Sequence, residues 1–263
     1  MKRTFLIGGV LTAAIAVASL TTAPSAQEDG LTAAQRQEIK ELVRDYLLEN
    51  PEIIPEAINV LRERELLALE AQAARVIAGR REFIEDDGIS GELGNADGDV
   101  VVVEFFDYQC QFCRRGYRTV MDVIEGDGNI RFVAKQLPVL DAPDGPQISR
   151  FAARASLAAE RQGKFAAFHD ALMTAPGPLH ESRILKLAAK TGLDEARLKK
   201  DMADPALDRS IDNNLMLAQE IGIRGTPAYI VGGQLHRGYQ TADDFKAAVT
   251  TARERAARAA DAS

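Results

Sequence analysis

The sequence predicts an α/β fold: a parallel strand–helix–strand unit, a helical insertion and a closing pair of strands with a helix, preceded by an extended helical N-terminal arm. Three observations predict it. "VVVVEFF", Val100 to Phe106, is a continuous β-branched and aromatic run; it gives way to a helical pattern at Cys110, and "IRFVAKQLPV" resumes as strand. Residues 147–220 are helical by composition, in five pieces parted by short Gly or Pro breaks. Two short strand-like pieces then flank Gly232-Gly233, and "ADDFKAAVTTARERAARAADAS" reads as a closing helix.

In chain order, Lys2 and Arg3, the apolar run from Phe5 to Leu20 and the small-residue stretch "TTAPSAQ" have the order of a secretory signal peptide, residues 1–26, with the cut placed before Gln27. The run is a little short for a membrane span and no stop-transfer charge follows it. Without Lys2 and Arg3 the chain keeps 30 basic residues (32 less 2) against 39 acidic ones, a net charge of −9. With no extended basic tract, nucleic-acid binding is excluded. The expected location is periplasmic.

Residues 27–87 form the arm. Thr32 and Gln35 stand at capping-box spacing, and Ile39, Leu42, Val43, Tyr46 and Leu47 share one helical face. Asn50 is placed as the cap of a second helix, with Pro51 at its first position and no breaker from Glu56 to about Glu85. Some 30 helical residues would extend ~45 Å, more than a small domain covers. Leu66, Leu69, Ala73, Val76 and Phe83 make a further stripe at roughly heptad spacing, so the arm is expected to join two or three chains into a homo-oligomer. "GISGELGNADGD" reads as a hairpin feeding the strand at Val100. The catalytic domain is expected to comprise residues 88–146 and 221–263.

Cys110 and Cys113 are the only cysteines. A disulfide between them closes so short a ring that it would stabilise the fold little. Structural zinc needs four ligands, and none of His169, His180 and His236 lies within 50 residues of Cys113, so no metal site is assigned; a two-coordinate Cu(I) thiolate stays chemically allowed. At the first turn of a helix, unpaired N–H groups and the macrodipole favour a thiolate at Cys110, and Cys113 one turn on can resolve a mixed disulfide. Arg114 and Arg115 oppose the dipole there, and are expected either to stabilise that thiolate, to steer acidic partners, or to be ordinary solvated side chains. Glu104, inside an apolar strand, is read as a partly buried proton acceptor for Cys113, with a strand-end residue facing water as the alternative and Lys135 as a candidate partner. His169 is expected to be a partly packed helix residue. Thr226-Pro227, opening a strand, is expected to be cis.

Together, "EFFDYQCQFC", the helical insertion and "GTPAYIVGG" resemble the DsbA-like branch of the thioredoxin superfamily. With "RDYLLENPEIIPEAI" and "GNADGD" added, the chain is similar to the exported suppressor-of-copper-sensitivity type, which carries a helical N-terminal extension. The resemblance implies a thioredoxin fold with its insertion between the second and third core strands, Cys110 as nucleophile, Cys113 as resolving cysteine, Glu104 as buried acid, and Gly225, Thr226 and cis Pro227 facing the substrate. It implies no cofactor. It further implies thiol–disulfide exchange with cysteine-containing exported proteins, as an oligomeric isomerase, and a membrane redox partner that recharges the pair. Where strongly oxidising members carry Pro-His between the cysteines, this chain has Gln111-Phe112. Losing one pKa unit of thiolate stabilisation is worth ~1.4 kcal/mol, about 30 mV for a two-electron couple. Competing readings are a monomeric disulfide oxidase, a Cu(I)-binding protein of copper tolerance, and a structural adaptor built around the long helix.

Overall fold

The computed structural model describes residues 30–262, so the expected signal peptide lies outside the described residues. The chain divides into two units, one up to Val60 and one from Leu61 onward. In the first, α1 (Ala33–Glu49) opens on Thr32: its side chain accepts from Gln35 N at 3.2 Å, while Thr32 N donates to Gln35 Oε1 at 2.9 Å. No residue of α1 is buried; Ile39, Leu42, Val43 and Tyr46 are exposed, Leu42 by 67%. Asn50 closes α1 rather than opening the next helix, because its N–H donates to Tyr46 O at 2.9 Å. α2 (Ile53–Gly79) starts three residues later, with Pro55 tolerated in its first turn, where an N–H would have no partner.

The uninterrupted helix to Glu85 is not found. α2 stops at Gly79, Arg80 leaves helical geometry at φ −122°, ψ 19°, and α3 (Arg81–Glu85) begins after it. That break lets Ile84 enter the same core as Ala73 and Ile77. Ala73, Val76 and Phe83 of the expected stripe therefore pack on their own chain, and only Leu66 and Leu69 stay exposed.

Five strands form one sheet in the order β1-β3-β2-β4-β5: β1 (Gly91–Gly94), β2 (Val100–Phe106), β3 (Ile130–Gln136), β4 (Ala228–Val231) and β5 (Gln234–Arg237). β2 and β3 are parallel around α4 (Gln111–Asp127), and the other pairs are antiparallel. The expected hairpin into β2 is a misreading: β1 pairs with β3, Gly91 opposite Ala134 and Gly94 opposite Arg131. The turn after β1 docks on the start of β3 instead, Asn95 N donating to Ile130 O at 2.8 Å and Asp99 N to Asn129 O at 3.0 Å. Only glycine fits at Gly98, where a Cβ would lie 2.5 Å from Arg131 N.

The insertion comprises α5 (Ile148–Glu160), α6 (Phe165–Thr174), α7 (Glu181–Lys190), α8 (Glu195–Met202) and α9 (Pro205–Ile221), and α10 (Ala242–Asp261) closes the chain. Counting β1, the insertion separates the third and fourth strands. Apolar cores lie on both faces of the sheet, which is why β2 is continuously apolar and not alternating. Val102, Phe106 and Ala134 face α4, α5 and α10; Val103, Phe105 and Val133 face α3, α9 and the end of α2.

Candidate active site

Cys110 caps α4. Its φ of −68° and ψ of 115° are extended, and its Sγ accepts the Cys113 N–H at 3.4 Å. The same sulfur lies 3.2 Å from the Thr226 carbonyl oxygen, in a loop whose Thr226-Pro227 bond is cis as expected. β4 starts directly after Pro227, with Ala228 opposite Phe105 of β2, so sheet pairing brings residues 110 and 226 together across the sequence. Gly225 and Pro227 flank that contact.

Hydrogen bonding from the Cys113 side chain lowers the Cys110 thiol to about 6; burial opposes this, and Thr226 and the backbone amides of Cys113 and Phe112 add to it. Burial pushes the Cys113 thiol far up, reinforced by its bond to Cys110 and by the Glu104 charge. The sulfur expected to be open is only relatively so: Cys110 is 5% exposed and Cys113 0%. Iodoacetamide is expected to label Cys110 of the reduced protein first, at a rate rising through pH 6 instead of 9. Peptide mapping that found Cys113 labelled first would overturn this order of reactivity.

Glu104 is 2% exposed on β2, paired in register with Tyr229 of β4. Burial raises its carboxyl to about 8, partly offset by a hydrogen bond with the Tyr229 side chain, while negative charge at Cys110 pushes the same way as burial. Lys135 is not its partner. Glu104 stands opposite Ala134 and Lys135 opposite Phe105, which puts the ammonium on the other face, bonded to Asp87 Oδ2 at 2.6 Å and Phe83 O at 3.1 Å. The arginines are not bonded to the thiolate either. Arg114 Nε donates to Met173 O at 3.2 Å and its Nη1 to Gly177 O at 3.0 Å, while Arg115 lies over the Phe112 ring.

Two buried residues were not legible in their roles. Asp107, buried at the end of β2, accepts from Gln109 N at 2.8 Å, Ser149 Oγ at 2.7 Å and Leu140 N at 3.1 Å, and its backbone carbonyl accepts the Cys110 N–H at 3.0 Å. It ties the loop carrying Cys110 to the insertion. The one signal was an acid three residues before the first cysteine. His169 is fully buried instead of partly packed, ringed by Phe106, Tyr108, Tyr117 and Phe165, with Nδ1 2.9 Å from the Tyr108 hydroxyl. Burial lowers its imidazole to about 3, so it stays neutral. Among the described residues, no group of three or more His, Cys, Asp or Glu is arranged to hold a metal ion.

Residues 101–250, more than half of the chain, match the DSBA-like thioredoxin domain. The chain belongs to the DsbA-like thioredoxin family. Residues 35–65 of this DsbA-like protein match the copper resistance protein ScsC N-terminal domain. Among solved structures, a thioredoxin-like oxidoreductase from Silicibacter pomeroyi DSS-3 is 40% identical with a TM-score of 0.62, the match covering 66% of this chain and 98% of that one. Proteus mirabilis ScsC in a transitional conformation is 30% identical, TM-score 0.62, with 86% and 100% covered. Salmonella enterica Typhimurium BcfH is 26% identical with a TM-score of 0.71, over 83% and 96%. The Na(+)/H(+) antiporter NhaA 1 of Salinispora arenicola is 32% identical over 188 residues, but the DsbA-like chain spans only 28% of that curated relative.

Proposed function

We propose that this DsbA-like oxidoreductase is an exported, oligomeric disulfide isomerase. Cys110 attacks a substrate disulfide, one substrate sulfur leaves as thiolate, and Cys113 either resolves the mixed disulfide or waits while a second substrate cysteine does so. Glu104 takes the Cys113 proton, and Gly225, Thr226 and Pro227 hold the substrate strand beside the sulfurs. A membrane redox partner resets the pair.

The observation that carries isomerase over oxidase is the exposed apolar side chains of α1, Ile39, Leu42, Val43 and Tyr46, all of which face solvent. Such a row calls for a partner surface, and these residues lie within the ScsC N-terminal match. Joining two or three chains sets several Cys110 sites around one substrate, raising the effective concentration of thiol for rearrangement. Export is supported by the leader-like residues 1–26 and by a neighbour described as a periplasmic thioredoxin-like protein from Salmonella enterica; no helix among the described residues is long and apolar enough to cross a membrane. We divide the chain into a leader, an arm over residues 27–87, a catalytic domain over 88–146 and 221–263, and an insertion over 147–220. Ion transport is not proposed, since the match covers 28% of the antiporter.

The test substitutes Leu42, Val43 and Tyr46 together by Glu in the full chain. Light scattering is expected to show a monomer, with insulin reduction retained and reactivation of scrambled ribonuclease down by ~10-fold or more. A parent protein already monomeric at tens of micromolar would shift the assignment to a monomeric oxidase.

A further inference from the structure

A groove of about 790 Å³ opens beside the cysteine pair. One wall is the start of α4, where Gln111, Arg115 and Arg118 stand at i, i+4 and i+7 on one helix face; the other is the connection from Met173 to Leu179 between α6 and α7. The guanidinium of Arg115 sits 5.5 Å over the centroid of exposed Phe112. Arg114 spends its hydrogen bonds on two neutral carbonyls, and Arg183 donates to a third, Pro178 O, at 3.1 Å. Such bonds fix a guanidinium without neutralising it. Of these four arginines, only Arg118 has a carboxylate partner among the described residues, Asp170 at 3.1 Å, and both side chains of that pair are exposed. A chain of net charge −7 thus concentrates unpaired positive charge next to its reactive sulfur, on helix turns where it works against the macrodipole.

We propose that this groove binds an acidic stretch of the substrate polypeptide flanking the cysteine under attack. The proposal rests on the disulfide-exchange reading above and adds its substrate class. At ~1.5 Å of helix rise per residue, Arg115 lies ~8 Å and Arg118 ~12 Å along the axis from Cys110. An extended peptide advances ~3.3 Å per residue, so the matching carboxylates stand about two to four residues from the substrate cysteine. The chemistry gives the groove a purpose. The Cys110 thiolate forms an S–S bond with one substrate sulfur as the other leaves carrying the electron pair, and neighbouring carboxylates repel that incoming anion; arginines placed against them remove the repulsion.

The test uses full-length reduced protein and two dye-labelled disulfide peptides that differ only in Glu or Gln two and four residues from the cysteine. At low ionic strength the Glu peptide is expected to be reduced about 10-fold faster, a gap that closes as salt screens exposed charge. Arg115→Glu with Arg118→Glu, both at exposed positions, should bring the Glu-to-Gln ratio to one or below while the unfolding midpoint holds. Equal rates for the two peptides with the parent protein, or a preference that survives the charge reversal, would overturn the acidic-substrate assignment alone. If neither peptide were reduced, the exchange reading beneath it would fall as well.

Discussion

A Cys110→Ser protein is expected to lose disulfide exchange, with a drop in second-order rate on the order of 10³-fold or more, because the thiolate is the nucleophile and a serine hydroxyl stays protonated. Cys113 cannot take over: it is fully buried, and its thiol is held far above the ordinary range by that burial, by its bond to Cys110 and by Glu104. The reciprocal Cys113→Ser protein should still attack, and should accumulate mixed disulfides that non-reducing gels detect. Stopped-flow reduction of a fluorescent disulfide measures the first loss directly. Retained turnover in Cys110→Ser would remove the basis for treating the start of α4 as the reactive centre.

The second large effect belongs to Glu104. Its carboxyl rises from 4.5 to about 8 on folding, so the folded chain holds a proton that the unfolded chain releases. With the folded value raised, Glu104 costs nothing below pH 4.5; release of its proton by the unfolded chain then erodes stability as pH rises from 4.5 to 8, above which the loss is constant. The difference, (8 − 4.5) × 1.36, sets a ceiling of about 5 kcal/mol, and ~3 kcal/mol at pH 7. Glu104→Gln should therefore unfold at higher denaturant than the parent, by a margin that widens from pH 5 to 8. It should also slow release of the mixed disulfide by Cys113, by ~10²-fold on the scale of general-base catalysis. Measured together, the two readouts separate a proton acceptor from a packing residue: gained stability with unchanged release would leave Glu104 without a chemical role. Cys110 has the opposite sign. Its folded value near 6, against 9, stabilises the reduced fold increasingly from pH 6 upward, and that gain is lost as pH falls through 6.

Local signals made much of this legible. The run Val100–Phe106, the helix start at Cys110 and the capping box at Thr32 are each encoded within a few residues, and all three are where the sequence puts them. What failed depends on parity and on long-range pairing. One step along a strand reverses a side chain, so Lys135, next in sequence to the residue opposite Glu104, lies behind the sheet. The segment before Val100 has the composition of a turn, but composition does not name the strand on which a turn will land, and β1 went to β3. The heptad-like spacing from Leu66 to Phe83 is interrupted at Arg80, beyond which Ile84 is buried. Asp107 escapes notice and His169 reads as a partly packed residue because their meaning arises from partners 42 and 61 residues away.

The Lys135–Asp87 clip bears on how such a chain can be inherited as modules. The ammonium is wholly enclosed in the sheet layer, and its counter-charge comes from Asp87 between α3 and β1, the last of the residues read as an arm. A gene fusion joined at the start of β1 would discard Asp87 along with Ala73, Ile77 and Ile84, stranding a buried lysine, a defect that typically costs about 3–5 kcal/mol. Recombination could exchange the exposed helices upstream of Ala73 far more freely. The seam along which evolution can swap partners for this enzyme is therefore set by one ion pair behind the sheet, whose Asp87 lies some twenty residues downstream of exposed Leu67.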